Sequence, residues 1–222
     1  MDPTATSILA PLLSCLTCDG SLRDLILGHR FAQLALTIPA LVLGGAFATA
    51  WATRAWARRT AEDGARGTDA GALAWSATLL GFGLGSFLDG IVLHQILQLH
   101  GFISNSLPPE TLLAKSANMF WDGIFFLVTF VVTMAGVVSL WRLGRRGAIA
   151  TASPWLFWGA ALIGWGAIDL IDGLVSHVLL RYHDLVEASA SPWPWNIGWL
   201  VFSALQVLIG GVALRRGLRR RS

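Results

Sequence analysis

The chain has 222 residues, of which 55% are hydrophobic and only 13% charged, with a mean hydropathy of +0.62. Soluble domains carry about 25% charged residues, so the composition excludes an ordinary soluble domain and points to the membrane class. The net charge of +3 and pI near 9.5 do not signal nucleic acid: the arginines flank apolar segments, and no RNP, zinc-finger or basic-helix motif is present.

The first 30 residues hold a short apolar stretch, Ser7 to Leu16, broken by Pro11. It is too short to span a bilayer. It lacks the basic flank and small-residue cleavage site of a signal peptide. Residues 5–28 are therefore expected to form a retained interfacial or re-entrant segment. Cys15 and Cys18 are the only cysteines. A CxxC pair can bind metal, exchange disulfides or simply be oxidised, and thiolates select soft metals such as Cu(I) or Zn. Asp19 stands where a c-type haem attachment site needs histidine. The plain reading is a disulfide or inert thiols; the sharper one is metal delivery to the histidines below.

Five later segments are long and apolar enough to cross a membrane as helices: roughly 33–57, 72–99, 117–141, 154–182 and 195–214. Twelve of the 16 basic residues lie on one side of them, in the loop holding Arg54, Arg58, Arg59 and Arg66, the loop holding Arg142, Arg145 and Arg146, and the C-terminal tail. The positive-inside rule puts that side in the cytoplasm. The C-terminus is then cytoplasmic, the N-terminus outside, and the setting a bacterial inner membrane. Eleven tryptophans supply interfacial belts, such as Trp155–Trp158 and Trp193–Trp195.

The second and fourth spans share a motif. Gly81, Gly83, Asp89, Gly90, Val92, His94, Leu97 and His100 recur as Gly164, Gly166, Asp172, Gly173, Val175, His177, Leu180 and His183, at a constant offset of 83 residues. The predicted fold is accordingly all-α: a peripheral first helix, then a core four-helix bundle built from a duplicated two-helix hairpin. Its pseudo-twofold axis would run along the membrane normal, as in parallel repeats. The layout is residues 1–30 N-terminal segment, 31–70 first helix and loop, 71–146 first repeat, and 147–222 second repeat with the basic tail. The glycine run Gly81-x-Gly83-x-Gly85 has no strand before it, so it signals close helix packing and not a nucleotide loop. Trp121-Asp122 and Trp195-Asn196 open the third and fifth spans as a weaker echo.

Ionisable groups are expensive in hydrocarbon and mark functional sites by default. Asp89, Asp122, Asp169 and Asp172 lie in the spans with His94 and His177, all in the outer half. Helical bundles build transition-metal sites from such inward carboxylates and imidazoles, and neutral imidazole also ligates haem. On a regular α-helix Asp89 and His94 stand about 140° apart. That geometry predicts a centre shared between the repeats, with His94 and His177 as ligands. His100 and His183 would lie at the outer interface as an access or second site. Asp89, Asp122, Asp172, Asp169 and Asn196 would orient imidazoles, those of the other repeat included, or balance charge. The plainer reading of the same groups is interhelical hydrogen bonding, for roughly 0.6–2 kcal/mol each.

The stretch from Gly81 to His100, with Asn118-Met119-x-Trp121-Asp122-Gly123 and Gly164 to His177, resembles the bacterial membrane family known as domain-of-unknown-function family 2243. The likeness covers roughly residues 72–214. Such proteins often carry His-His where this chain has His100-Gly101, and aspartate where it has Asn196. The resemblance supplies no established activity; its gene setting implies cytochrome oxidase assembly, and with it copper or haem handling. The expected function is thus binding of copper, iron or haem in respiratory metalloprotein biogenesis, metal handling or electron transfer. A metal-dependent oxidoreductase activity is secondary to binding. The alternatives are a proton or cation pathway through the aspartates and a structural partner of a respiratory complex. The partners are the bilayer, a respiratory oxidase or its assembly factors, and a second copy of the chain.

Overall fold

The computed structural model describes residues 20–61, 64–149 and 153–219; Cys15, Cys18 and most of the 5–28 segment lie outside them. Helix α1 is Gly20–Leu27, α2 is His29–Ala32, α3 is Leu34–Thr60, α4 is Gly64–Asp89, α5 is Leu112–Arg145, α6 is Pro154–Asp172 and α7 is Trp193–Arg219. Two further helical turns, Gly90–Ile96 and Gly173–Leu179, continue α4 and α6 with the wider π winding. No strand occurs among the described residues. Among the described residues, five helices are long and apolar enough to cross a membrane. In hydrocarbon the helix is one of the few backbones that satisfies its own hydrogen bonds, which is why these runs fold this way.

Helices α4 and α6 form the centre. They pack on one another, α5 flanks α4, and α7 flanks α6. Helix α3 lies against α4, α5 and α6. Its buried residues Leu34, Ile38, Val42, Ala46, Ala50, Thr53 and Ala57 form one stripe at three- and four-residue spacing, the signature of a helix with a single packed face. Leu36, Phe47, Leu127, Phe130, Leu208 and Ile209 stay exposed, as side chains facing lipid do.

The glycine run works as a contact surface. A Cβ on Gly81 would strike the Ala161 backbone, and one on Gly164 would strike the Thr78 carbonyl. The two contacts interchange under the 83-residue offset. Gly83 lies against Thr133 of α5, and Gly166 is 2.7 Å, measured from an added Cβ, from the Ser203 carbonyl of α7. Small residues at these positions let the backbones approach.

The recurrence extends into the connecting segments. Leu97 N–H donates to Val92 O at 2.9 Å, and Leu180 N–H to Val175 O at 2.8 Å. Leu99 N–H donates to Leu93 O, and Tyr182 N–H to Ser176 O. Gln98 and Arg181 then take positive φ angles of 48° and 50°. For residues with a side chain this conformation costs about 1–3 kcal/mol and persists only where surrounding structure enforces it. It ends each helix early: the helices stop at Ile96 and Leu179, where the hydropathy pattern runs to 99 and 182, and the chain doubles back into the bundle.

Candidate functional site

The π turns change the geometry that an α-helix dictates. Winding by i to i+5 hydrogen bonds brings residues five apart onto one face. Asp89 Oδ2 lies 3.6 Å from His94 Nε2, and Asp172 Oδ2 lies 3.4 Å from His177 Nε2. The 140° separation expected from regular winding is thus overturned, and each aspartate faces the histidine of its own repeat. π turns of this kind are frequent at functional sites.

The doubled-back segments deliver two more imidazoles. His100 and His183 are buried within the protein, 4% and 1% exposed. His100 Nε2 is 2.9 Å from His94 Nε2. The His100 and His183 rings stack at 4.5 Å and 7°, and His177 sits 4.8 Å from His183 between ring centres. The structure therefore brings His94, His100, His177 and His183 into one cluster with Asp89, Asp122 and Asp172.

Hydrogen bonds at the outer ring nitrogens fix the tautomers. His100 Nδ1–H donates to Leu185 O, and His183 Nδ1–H to Phe102 O, both at 2.9 Å. These bonds cross between the two halves and interchange under the same offset. A carbonyl only accepts, so both Nδ1 atoms carry hydrogen, and in the neutral ring each Nε2 is a bare lone pair. His94 Nδ1–H donates to Asp122 Oδ1 at 2.9 Å, which turns its Nε2 inward in the same way. Two bare nitrogens 2.9 Å apart repel unless a cation, a proton or a metal ion, lies between them. His183 Nε2 and both nitrogens of His177 are buried without a hydrogen-bond partner. Burial, then the neighbouring His183, His94 and His177, hold His100 well below the ordinary histidine pKa of 6.5, so at neutral pH it is a lone-pair donor.

The two halves differ in their supports. Asp122 holds His94, but Asn196 does not reach His177. Its Oδ1 accepts from Leu185 N–H at 2.9 Å and its Nδ2 donates to Asp184 at 2.7 Å. Ser176 Oγ donates to Asp172 Oδ1 at 2.7 Å. Asp169 is 2% exposed with Oδ2 unpartnered, and it touches none of the imidazoles by hydrogen bond. A Cβ on Gly90 would run into Phe126 of α5, so the missing side chain there lets the two helices approach closely. A Cβ on Gly101 would stand 2.6 Å from Asn118 Oδ1, which itself accepts from Ile103 N–H. The loop that carries His100 is thus seated against a glycine.

A cavity of about 500 Å³ opens beside His94 and His100, lined also by Gln95, Gln98, Lys115 and Glu187. Burial pushes the Glu187 carboxyl up from its ordinary range, although it accepts from Gly101 N–H. On the other side, Asp172 lines an apolar pocket of about 30 Å³, room for a water or two. Asp184 and Glu187 do not stand out in the sequence, because acids in a loop are ordinary; the burial of Asp184 and the contact of Glu187 with Gly101 mark them.

Among the described residues two sets of donors have one atom each within 4.8 Å of one another: His94, His100 and His183, and Asp172, His177 and His183. Apolar spans around such a cluster define a polytopic helical membrane protein with a buried histidine–carboxylate site. The chain belongs to the family described as "Predicted membrane protein (DUF2243)", whose model matches residues 76–217. No match was found among curated proteins or among solved structures.

Proposed function

We propose that this protein binds a redox-active transition metal, copper or iron, through the buried histidine cluster, and serves metal handling or electron transfer in respiratory metalloprotein biogenesis. One observation carries the reading: tautomers fixed from outside leave Nε2 lone pairs converging in a buried space, some without any hydrogen-bond partner. Buried polar atoms are normally satisfied, and a cation satisfies these together. Metal-bound histidines donate their other N–H to a carboxylate or carbonyl, as His94, His100 and His183 do. Imidazole donors suit copper and iron among others.

A bare ion fits better than haem. Ring centres 4.2–4.8 Å apart between His94 and His100, His100 and His183, and His177 and His183 leave no slab for a macrocycle between two axial imidazoles. A proton or cation pathway fits less well, since no ionisable residue occurs from Ala70 to Leu88 or from Pro154 to Ile168. With the arginine-rich ends in the cytoplasm, the cluster faces the outer side, where it meets metal arriving from outside the cell.

Purification from cells supplied with copper and iron, followed by elemental analysis and an absorption spectrum, tests this. The expected result is stoichiometric copper or iron that survives desalting. A protein that is isolated metal-free and takes up neither ion overturns the reading.

A further inference from the structure

We infer that a groove between α4 and α5, at their arginine-rich ends, holds an anionic phospholipid, its phosphate on Arg142, Arg145 and Arg146 and an acyl chain along the groove. The site is independent of metal binding: Arg142 stands about 30 Å along α5 from Asp122.

The groove follows from small residues where the two helices meet. A Cβ on Gly136 would lie 2.9 Å from the Leu80 backbone nitrogen, and the Ser76 and Ser139 hydroxyls touch at 2.7 Å. Beside this close contact Ala72, Ala135 and Ser139 carry too little side chain to fill the space. A hollow of about 410 Å³ remains, walled by them with Trp75, Leu79 and Val138. Ala135 and Val138 are exposed, so the hollow opens on the outer surface of the helix pair, where lipid lies. Lining atoms that face a void lose their dispersion contacts, and an acyl chain restores them.

The charge selects the headgroup. Arg142 and Arg146 line this hollow and also a second one of about 450 Å³, whose other lining residues are Trp141 and Arg145. Arg145 is stacked over the Trp141 ring at 5.1 Å. A further guanidinium, that of Arg54, stands 6.0 Å from the ring of Trp75 in the groove wall. Among the described residues no carboxylate forms an ion pair with Arg142, Arg145 or Arg146, so their charge is not balanced from within. Guanidinium forks match phosphate oxygens in pairs, and basic pockets between membrane helices take anionic headgroups. A free phosphate would answer the arginines and leave the groove unfilled. A zwitterionic lipid would fill the groove and bring its own cation to the arginines. A phosphate that carries hydrocarbon and net negative charge suits both hollows.

The test is native mass spectrometry of the purified full-length protein in detergent, titrated with dioleoyl phosphatidylglycerol or with dioleoyl phosphatidylcholine. The expected result is one phosphatidylglycerol held per chain, more than about tenfold more tightly than phosphatidylcholine and not displaced by equimolar glycerol phosphate. A basic residue near an anionic lipid contributes about fivefold in affinity, so Arg142→Gln/Arg146→Gln should bind phosphatidylglycerol roughly 25-fold more weakly and phosphatidylcholine as before. Ala135→Phe keeps the arginines but fills the groove, and should release the lipid. A preference below about tenfold in the wild type, or unchanged phosphatidylglycerol binding in both variants, overturns the site. Displacement by glycerol phosphate would mean a phosphate site with no lipid in the groove, and overturns it too. The wild-type comparison decides the matter even if a variant fails to fold.

Discussion

Replacing His183 with alanine is expected to reduce copper or iron affinity by more than about 100-fold, read by competition with a chromophoric chelator. Removing a group that merely orients a metal ligand costs about 10–100-fold, and His183 is a candidate ligand that belongs to both donor sets. Its Nε2 is buried and unpartnered, so the ring contributes nothing at that atom without a cation. The fold should survive, because the variant loses one carbonyl bond, to Phe102, worth about 1 kcal/mol, and a share of ring packing. Circular dichroism checks that. Asp122→Asn provides the contrast: it keeps the shape and a bond to His94 but removes the charge, so its loss should stay within the 10–100-fold range. Equal losses in the two variants, or none in His183→Ala, would contradict these assignments.

Gly81→Leu is expected to be the most damaging single change away from the cluster. A Cβ at Gly81 meets the backbone of Ala161, not a side chain that can swing away. Helices α4 and α6 must then part, and the reciprocal contact of Gly164 with Thr78 opens with them. Overpacking typically costs 1–3 kcal/mol, occasionally more. A backbone clash belongs at the upper end, about 3 kcal/mol, or a fall of roughly 6–12 °C in thermal midpoint for a chain of this length. Gly44→Leu is the control, since nothing lies within 4 Å of a Cβ there. Fluorescence-monitored melting in detergent separates the two; matching midpoints would mean that the glycine contact does not hold the centre together.

Much of this arrangement is legible in the sequence, for identifiable reasons. Lipid demands long apolar helices, so the five spans stand out, with ends accurate to a few residues. The 83-residue recurrence points at the imidazoles and at the glycines of the α4–α6 contact. What regular periodicity hides is the winding. Reading Asp89 and His94 at 100° per residue places them on different faces, and the π turn over Gly90–Ile96 reverses that. The turn-back at Gln98 and Arg181 explains why His100 and His183 look like interfacial residues in sequence yet are buried. Asn196 echoes Asp122 in sequence but has a different task, because the loop residues Leu185 and Asp184 claim its amide. That division depends on where a loop settles, which hydropathy does not encode. Glu187 is invisible for the same reason: its interest comes from a contact with Gly101, 86 residues away.

The most direct test of the central claim is the X-ray absorption spectrum of the copper- or iron-loaded wild-type protein. Nitrogen and oxygen donors are expected at about 2.0–2.2 Å, with the outer-shell scattering of at least two imidazoles per ion and no sulfur contribution. A spectrum dominated by sulfur would move the metal to Cys15 and Cys18, and one without imidazole scattering would show that the histidine cluster does not hold it.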